Sequence, residues 1–316
     1  MKTQVTHDSA APRRRRMAAL LLGLASPVLV ASALSHQRIG ELNYELLPEA
    51  SGMAISAIDP QRLWFINDRG NRAEIIALDL PDFEHTSVAV TGARNTDWED
   101  LEGFVVDGDS WLAIADIGDN VAEREKVAVH LLREPSTDTD SIEIQQTLRF
   151  TYPGGPRDAE SLAVDPVSRH IYILSKREKP PVLFRVALPP SDATGVIDVE
   201  LERLGEVTSI PAPAAIEVRL FPRYGKYRNQ PTAISLGPDG KTIALMTYGE
   251  AYVAKLDDDR DWLAALNRPL CALGSPLLAQ PETIAVDNAG AVYVSSERKK
   301  APLIRITPEC DPLAID

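Results

Sequence analysis

The chain has 316 residues, of which 44% are hydrophobic and 25% are charged, and its formal net charge is −13 at pH 7. This composition supplies the apolar residues for the core of one or two domains, which excludes a globally disordered chain. The acidic excess makes nucleic acid and anionic lipid poor partners for the chain as a whole, whereas cations suit it better.

Residues 1–33 have the pattern of a secretory signal peptide. Four arginines at positions 13–16 precede an apolar run from Met17 to Val30, and the small residues Ala31, Ser32 and Ala33 follow it. The apolar run is shorter than the ~20 residues that a permanent transmembrane helix needs. We therefore expect cleavage after residue 33, a mature domain over residues 34–316 that is periplasmic or secreted, and no stable membrane insertion. An uncleaved anchor is the alternative.

The rest of the chain is built on a repeated phrase. Glu160-Ser161-Leu162-Ala163-Val164-Asp165 returns as Glu282-Thr283-Ile284-Ala285-Val286-Asp287, and weaker copies begin at Glu49, Glu99 and Thr232. Each copy leads into a turn and two further strands rich in β-branched and aromatic residues. These repeats predict an all-β chain folded as a β-propeller. Five copies favour five blades, and a sixth, degenerate blade between Leu201 and Pro231 is the alternative.

The two ends of the chain are predicted to meet. Only three strands fit after Glu282, so an N-terminal strand over Ile39 to Leu47, with alternating apolar residues, would complete the last blade and close the ring. The only two cysteines, Cys271 and Cys310, are predicted to form a disulfide in an oxidising compartment. Two unpaired buried thiols are the alternative.

The repeat also predicts a site, because the start of the first strand and the end of the second lie at the same end of a hairpin. One mouth of the channel should carry a polar ring of Glu49, Asp68, Glu99, Asp116, Asp119, Glu160, Glu282 and Glu297. Crowded carboxylates raise one another's pKa values unless bases or a divalent cation compensate them. The alternative interpretation is structural, with aspartates capping turns and glutamates pairing with basic neighbours.

Within this ring we predict three roles. The oxygen-rich stretch around Gly118 would bind Ca²⁺ or another divalent cation through Asp116, Asp119 and Asn120. The acid and base candidates are Glu99, Asp158 and Glu160. The residues predicted to bind a small-molecule ligand are Glu49, Asn67, Asp68, Arg157, Lys176, Arg177, Tyr248, Glu282 and Glu297. Trp98, which lies among three carboxylates, would either stack on a sugar or aromatic ligand or pack between blades.

Three phrases carry a resemblance to a known family: Asp97-Trp98-Glu99-Asp100, Ile117-Gly118-Asp119-Asn120 and Arg157-Asp158-Ala159-Glu160. With them, the chain resembles a family of exported bacterial β-propeller proteins that has no settled activity. More distantly, it is similar to the propellers that include phytase-like esterases, lactonases and arabinan-cleaving glycosidases, which use calcium or channel carboxylates. One departure is Thr232, which stands where other copies of the repeat carry glutamate.

Three functions are consistent with these features. The first is a binding propeller that holds a small ligand, a divalent cation or both at the mouth. The second is a hydrolase of ester, lactone, phosphate or glycosidic bonds that uses channel carboxylates or a metal-activated water. The third is a protein-interaction scaffold that uses the basic and aromatic stretch from Ala214 to Asn229. The chain has no Gly-x-Ser-x-Gly or His-Glu-x-x-His motif, which disfavours serine hydrolases and zinc proteases.

Overall fold

The structure is a computed structural model and describes residues 35–309. Within that range the chain forms 22 β-strands, two short α-helices and one 3₁₀ turn. The strands form five sheets around a central channel, as the blades of a β-propeller, which confirms the predicted fold and blade number. The predicted signal peptide at 1–33 and Cys310 lie outside the described residues. Among the described helices, none is long and apolar enough to cross a membrane.

The first strand, β1 (Ser35–Glu41), belongs to the last blade. From the channel outward, blade 1 contains β2 (Ala50–Ile55), β3 (Arg62–Asn67), β4 (Glu74–Asp79) and β5 (Glu84–Thr91). Blade 2 contains β6 (Trp98–Val106), β7 (Asp109–Asp116), β8 (Val127–Arg133) and β10 (Gln146–Phe150). Two short strands, β9 (Ser141–Glu143) and β14 (Gly195–Asp198), add in parallel to the outer edges of blades 1 and 2.

The remaining blades follow the same order. Blade 3 contains β11 (Ala159–Asp165), β12 (His170–Ser175), β13 (Val182–Ala187) and β15 (Glu202–Glu206). Blade 4 contains β16 (Pro231–Leu236), β17 (Thr242–Thr247), β18 (Ala251–Lys255) and β19 (Cys271–Ala272). Blade 5 contains β20 (Pro281–Val286), β21 (Val292–Ser296) and β22 (Pro302–Thr307), and β1 is its outer strand.

The segment where a sixth blade was the alternative contains no such blade. It holds β15, then α1 (Ala215–Leu220) and the 3₁₀ turn (Gly225–Tyr227). The other helix, α2 (Trp262–Asn267), connects β18 to β19. This segment is therefore an insertion between blades 3 and 4 of a five-bladed ring.

The repeated phrase is the innermost strand of each blade together with its turn. The aspartates that end the two strongest copies cap the hairpins: Asp165 Oδ1 accepts the Val167 N–H at 3.0 Å, and Asp287 Oδ1 accepts the Ala289 N–H at 2.8 Å. A side-chain acceptor of this kind supplies the turn with a hydrogen bond that the ladder cannot. The sequence repeat is thus a strand-and-turn repeat.

The N-terminal strand closes the ring as predicted, but in a different place. It pairs antiparallel with β22 over Ser35–Glu41, and the pairs run from Ser35 opposite Thr307 to Glu41 opposite Pro302. The prediction of a strand reaching Leu47 was wrong, because the chain turns at Asn43, whose carbonyl accepts the Leu47 N–H at 2.8 Å. This turn buries Leu42 and Leu47 while Tyr44 remains exposed, so the alternating pattern came from a turn.

Apolar clusters fill the spaces between neighbouring blades. Trp98 is fully buried between blades 1 and 2, packed in a cluster with Trp64, Leu101 and Leu112. The indole therefore serves packing, and stacking of Trp98 on a ligand is excluded. Cys271 is also buried; because Cys310 lies outside the described residues, the disulfide stays a prediction.

The channel is closed below the mouth by a buried carboxylate. Asp100 is fully buried; its Oδ2 accepts the N–H groups of Leu162 at 2.8 Å and Ile234 at 3.2 Å, and its Oδ1 accepts the Leu101 N–H at 2.9 Å. One side chain of blade 2 therefore ties the inner strands of blades 3 and 4. The inner strands also approach closely at Gly52, where a Cβ would lie 2.5 Å from the Leu101 nitrogen.

Candidate cation site at the channel mouth

Every inner strand has a β-bulge at its second residue, and this bulge places the polar residues of the mouth. The ladder register shifts around that residue in all five blades. An extra residue bends the strand and redirects a side chain. The residues at the bulge, from blade 1 to blade 5, are Ser51, Glu99, Glu160, Thr232 and Glu282.

The ring of acids is therefore interrupted at two blades, one more than the sequence indicated. In blade 1 the equivalent residue is Ser51 rather than Glu49, and the Ser51 hydroxyl donates to the Trp98 carbonyl at 2.9 Å. In blade 4 the Thr232 hydroxyl donates to the Pro281 carbonyl at 2.7 Å. Both hydroxyls join neighbouring inner strands, so they hold the ring together where no carboxylate is present.

Blades 2 and 3 each carry a second acid two residues before the bulge. Asp97 precedes Glu99, and Asp158 precedes Glu160, so each of these blades presents an Asp-x-Glu pair at the mouth. Asp68, which follows β3 in blade 1, joins the first pair. The oxygens fall into two groups, Asp68 with Asp97 and Glu99, and Glu99 with Asp158 and Glu160, and within each group the ligand atoms lie within 4.8 Å of one another.

Neighbouring side chains and loops fix these positions. Asn95 donates from its amide to the carbonyl oxygens of Asn67 at 2.8 Å and Asp68 at 2.9 Å, and its Oδ1 accepts the Trp98 N–H at 3.1 Å. Asn95 thereby joins the end of blade 1 to the start of blade 2. On the other side, Asp158 Oδ1 accepts the Asp119 N–H at 2.9 Å, which joins blades 2 and 3.

Four carboxylates of these two groups are buried, and in Asp97, Glu99 and Glu160 one oxygen has neither a hydrogen-bond donor nor an ion-pair partner. Asp97, Glu99 and Glu160 are 4%, 5% and 4% exposed, and the oxygens concerned are Asp97 Oδ1, Glu99 Oε1 and Glu160 Oε2. A buried carboxylate oxygen without a donor costs free energy in the folded state. The mouth thus presents acceptor atoms that its own residues do not satisfy.

Burial and crowding raise the pKa values of this cluster. Burial is the largest cause for each group. It raises the pKa of Asp68 to about 7, with a further contribution from the Asp97 charge. The pKa of Glu99 lies well above its usual range through burial and the charge of Asp68, and burial also raises the pKa of Asp97. A cation bound here would reverse this trend by favouring the ionised carboxylates.

Gly118 provides the room for these acids. A Cβ at this position would overlap Glu99 Oε1 and lie 2.6 Å from Asp97 Cγ. Its φ is not in the left-handed region, so the requirement for glycine here is one of space. The backbone of the β7–β8 loop therefore forms one wall of the acidic cluster.

The two groups of acids are unequally neutralised. Lys176 forms a buried ion pair with Glu160, and Arg177 Nε lies 2.6 Å from Asp158 Oδ2. Among the described residues, the first group has one ion pair, between the half-exposed Arg69 and Asp97 Oδ2 at 3.5 Å, while Arg124 and Lys176 act on Asp97 and Glu99 through their charges without an ion pair. The group of Asp68, Asp97 and Glu99, which we call the cation group, therefore has the least internal charge compensation.

On the opposite side of the mouth, the polar side chains are joined in a chain of hydrogen bonds. Lys176 Nζ donates to the Tyr248 hydroxyl at 2.8 Å, and that hydroxyl donates to Glu282 Oε1 at 2.9 Å. Glu282 is hydrogen-bonded to Glu297, and burial together with the Glu282 charge raises the pKa of Glu297 to about 9. The proximity of the two glutamates therefore disfavours ionisation of both at once.

The predicted metal ligands already have partners in the protein. Asp116 forms an ion pair with Arg124 at 2.6 Å, Asp119 accepts the N–H groups of Glu123 and Arg124, and Asn120 accepts from Arg177. Although burial opposes it, the hydrogen bond from His130 and the Arg124 charge lower the pKa of Asp116. The acids that can group around an ion lie next to this stretch.

Three predicted ligand-binding residues have structural contacts. Asn67 binds the backbone of Glu49 and Leu46, and Glu49 Oε2 accepts from Asn71 at 2.8 Å. Arg157 pairs with Glu178 at 2.5 Å and lies over the ring of Phe184. The predicted residues that do converge on the mouth are Asp68, Glu99, Asp158, Glu160, Lys176, Arg177, Tyr248, Glu282 and Glu297.

Sequence reasoning missed Asp97 as a site residue and Asp100 as the residue that closes the channel. The recurring Asp-x-Glu spacing in blades 2 and 3 was the signal for Asp97, because it puts both acids on the same end of the inner strand. For Asp100, its place one residue after the bulge marks a side chain that faces the channel, but nothing in the sequence shows which N–H groups it meets.

Comparisons with known proteins bear on the fold alone. No family model and no curated protein matches the chain, so the resemblance to an exported family stays a prediction. Solved structures similar to this chain include the apo form of a soluble aldose sugar dehydrogenase from Escherichia coli, at 11% identity, with a TM-score of 0.49 and coverage of 87% of this chain and 100% of that one. A gluconolactonase from Xanthomonas campestris matches at 14% identity and a TM-score of 0.44, over 82% of this chain and 72% of that one. Values this low leave the activity to be inferred from the site.

Proposed function

We propose that this protein binds a divalent cation, with Ca²⁺ the first candidate, through Asp68, Asp97 and Glu99 at the channel mouth. The observation that carries the proposal is Glu99, a buried acid that belongs to both groups and whose Oε1 has no donor. Carboxylate oxygens from an irregular set of loops and strand ends suit the flexible coordination of Ca²⁺. Binding would satisfy these oxygens and remove the repulsion among them.

The bound ion would hold a small anionic ligand. A mouth of bare carboxylates repels anions, but a divalent cation changes the sign of the local charge. Arg69 and Arg177 stand at the two acidic groups with side chains 53% and 43% exposed, and guanidinium groups match carboxylate and phosphate oxygens. A carboxylate or phosphate ligand that completes the coordination of the ion is therefore the favoured class. Export, based on residues 1–33, forms part of the same proposal.

Thermal unfolding tests the cation site. Protein treated with EDTA and then dialysed should show a higher Tm after addition of Ca²⁺, because the ion binds only the folded arrangement of acids. Glu99→Gln removes the shared ligand and should abolish the shift. Asp107→Asn is the matched control, since Asp107 is an exposed acid paired with Arg169 at the far end of the same hairpin. A wild-type Tm that Ca²⁺, Mg²⁺ and Mn²⁺ all leave unchanged would sink the proposal.

A hydrolase is the second candidate, and the Glu282–Glu297 pair favours it. A carboxylic acid with a pKa of about 9 beside a cation group could supply a proton to a leaving group. The predicted acid and base residues are less free for this role, since Glu160 is paired with Lys176 and Asp158 with Arg177. Chromogenic esters, lactones, phosphates and arabino-oligosaccharides, assayed with Ca²⁺, separate the candidates. Turnover that is lost in Glu297→Gln and kept in Glu160→Gln would support this version; no turnover on any substrate would leave the binding function alone.

A further inference from the structure

The insertion between blades 3 and 4 contains residues 214–228, which we call the rim segment. Polar side chains form the interior of this segment, and its large apolar side chains are exposed. It includes α1 and the 3₁₀ turn and contacts the loops at the mouth side of the ring. Arg228 Nη2 donates to the Gly249 carbonyl at 3.0 Å, and Lys179 Nζ lies 3.4 Å from the Lys226 carbonyl. The segment therefore stands on the same face of the propeller as the acidic mouth.

The interior of the rim segment is polar. Glu217 Oε1 pairs with Arg228 at 2.7 Å, and Glu217 Oε2 accepts the Ala214 N–H at 2.9 Å. Gly225 lets the 3₁₀ turn lie directly against α1, since a Cβ there would be 2.5 Å from the Glu217 carbonyl oxygen. The polar contacts thus fix the shape of the segment without an apolar core.

The apolar side chains of the rim segment face solvent. Helix α1 contains no buried residue. The exposed large apolar residues, with exposed fractions from 37% to 65%, are Ile216, Val218, Leu220, Phe221 and Tyr224. Elsewhere in the described chain the exposed large apolar residues occur one at a time along the sequence, whereas residues 216–224 bring five of them together, and a contiguous group of this kind marks a binding surface.

Exposed bases accompany these apolar side chains. Arg219, Arg223 and Lys226 are exposed, and within residues 35–309 none of them has a carboxylate at ion-pair distance. Glu217, the one acid of the segment, forms an ion pair with Arg228. The surface is therefore basic and apolar at once, although the chain as a whole is acidic.

We propose that the rim segment docks the propeller on an anionic membrane surface. At 100° per residue, the apolar residues at positions 216, 218, 220 and 221 lie on different sides of the helix axis. A partner protein with a groove would instead contact a single apolar stripe along the helix. A fluid lipid interface accommodates apolar groups on every side of a protruding segment, and unpaired bases beside them bind anionic headgroups. Acidic groups farther than about 8 Å away are screened at physiological ionic strength, so the bases of the rim segment determine its attraction to anionic lipid.

Vesicle co-sedimentation of the mature protein tests this docking. We expect binding to vesicles of phosphatidylcholine and phosphatidylglycerol at a ratio of 7:3, and binding at least tenfold weaker to pure phosphatidylcholine. The double variant Leu220→Ser with Phe221→Ser should lose at least tenfold in affinity for the anionic vesicles. Arg223→Gln should lose about fivefold, the effect of one base near a charged surface.

The control is Val167→Ser, which removes an apolar side chain that is 69% exposed in the β11–β12 turn, at the opposite end of the propeller from the mouth. It should bind the anionic vesicles as the wild type does. Circular dichroism establishes that the variants are folded, and none of the substituted side chains is buried. The proposal is overturned if the wild type does not sediment with anionic vesicles, if it binds both compositions equally, or if the folded rim variants bind as tightly as the wild type. If the rim segment instead binds a protein partner, the wild type should not sediment with anionic vesicles.

Discussion

Two adjacent residues of one strand, Glu99 and Asp100, show how differently buried carboxylates can be used. Both are buried, and burial raises the pKa of each. Asp100, inside the channel, accepts three backbone N–H groups from three blades, whereas Glu99, at the mouth, has an oxygen without a donor. A buried acid whose acceptors are all used belongs to the architecture. A buried acid with an unused acceptor marks a place for something the chain does not supply.

Among the single substitutions, the largest effect on stability should come from Asp100→Asn, an isosteric change. The amide cannot accept three N–H groups, so at least one buried donor loses its partner and the charge-assisted bonds are weakened. We expect unfolding free energy in urea to fall by about 3 kcal/mol. Glu99→Gln in the absence of cations should cost less than about 1 kcal/mol, since no donor loses a partner. Equal losses in the two variants would contradict the distinction.

Gly118→Ala should affect the mouth alone. The added methyl group would overlap Glu99 Oε1 and crowd Asp97, so both acids would have to move. Overpacking of this kind costs about 1–3 kcal/mol when the neighbours cannot shift. Titration calorimetry should therefore give a Ca²⁺ affinity at least tenfold weaker than in the wild type. Gly108→Ala is the control for lost stability alone: it lies at a turn far from the mouth, and its left-handed φ of +87° makes alanine unfavourable there, so it should lower stability without changing the Ca²⁺ affinity. An unchanged Ca²⁺ affinity in Gly118→Ala would argue against an ion beside Glu99.

The pH dependence of stability should also follow from the mouth. Asp68 and Glu297 have folded-state pKa values of about 7 and about 9, above their unfolded values, so the folded protein holds extra protons between pH 4 and 9. Stability must then fall as pH rises through this window. In EDTA we expect a loss of roughly 4 kcal/mol from pH 6 to pH 8, about 1.4 kcal/mol from Asp68 and about 2.7 kcal/mol from Glu297. Saturating Ca²⁺ should reduce this loss, because the cation favours the ionised acids; a stability that rises with pH in EDTA would be contrary to expectation.

The smallest effect should come from Asn120→Ala. Its side-chain oxygen accepts from Arg177 at the surface, and its predicted partners Asp116 and Asp119 are not among the acids that group within reach of one ion. The Ca²⁺ affinity measured by calorimetry should stay within about twofold of the wild type. A loss of tenfold or more would instead support the sequence-based assignment of Asp116, Asp119 and Asn120 as the ligands.

The sequence predicted the parts of this molecule that repeat. Strand order and the mouth at which the acids gather follow from hairpins with a fixed polarity, and the blade number follows from the five copies of the phrase. It did not predict contacts between blades. Asp100 accepts hydrogen bonds from N–H groups of two other blades, and Asn95 joins blades 1 and 2. In each of these contacts the two residues are far apart in the sequence. Glu49 was misaligned with the bulge by two residues, because the position of the bulge at Ser51 is invisible without the strand pairing.

The most direct test is to locate the ion. A crystal soaked in Mn²⁺, which binds the same hard oxygen ligands, reports its position by anomalous scattering. We expect a peak within bonding distance, about 2.0–2.6 Å, of Glu99 Oε1 and of oxygens of Asp97 and Asp68. A mouth without an anomalous peak at saturating Mn²⁺, or a peak bound only by Asp116, Asp119 and Asn120, would contradict it.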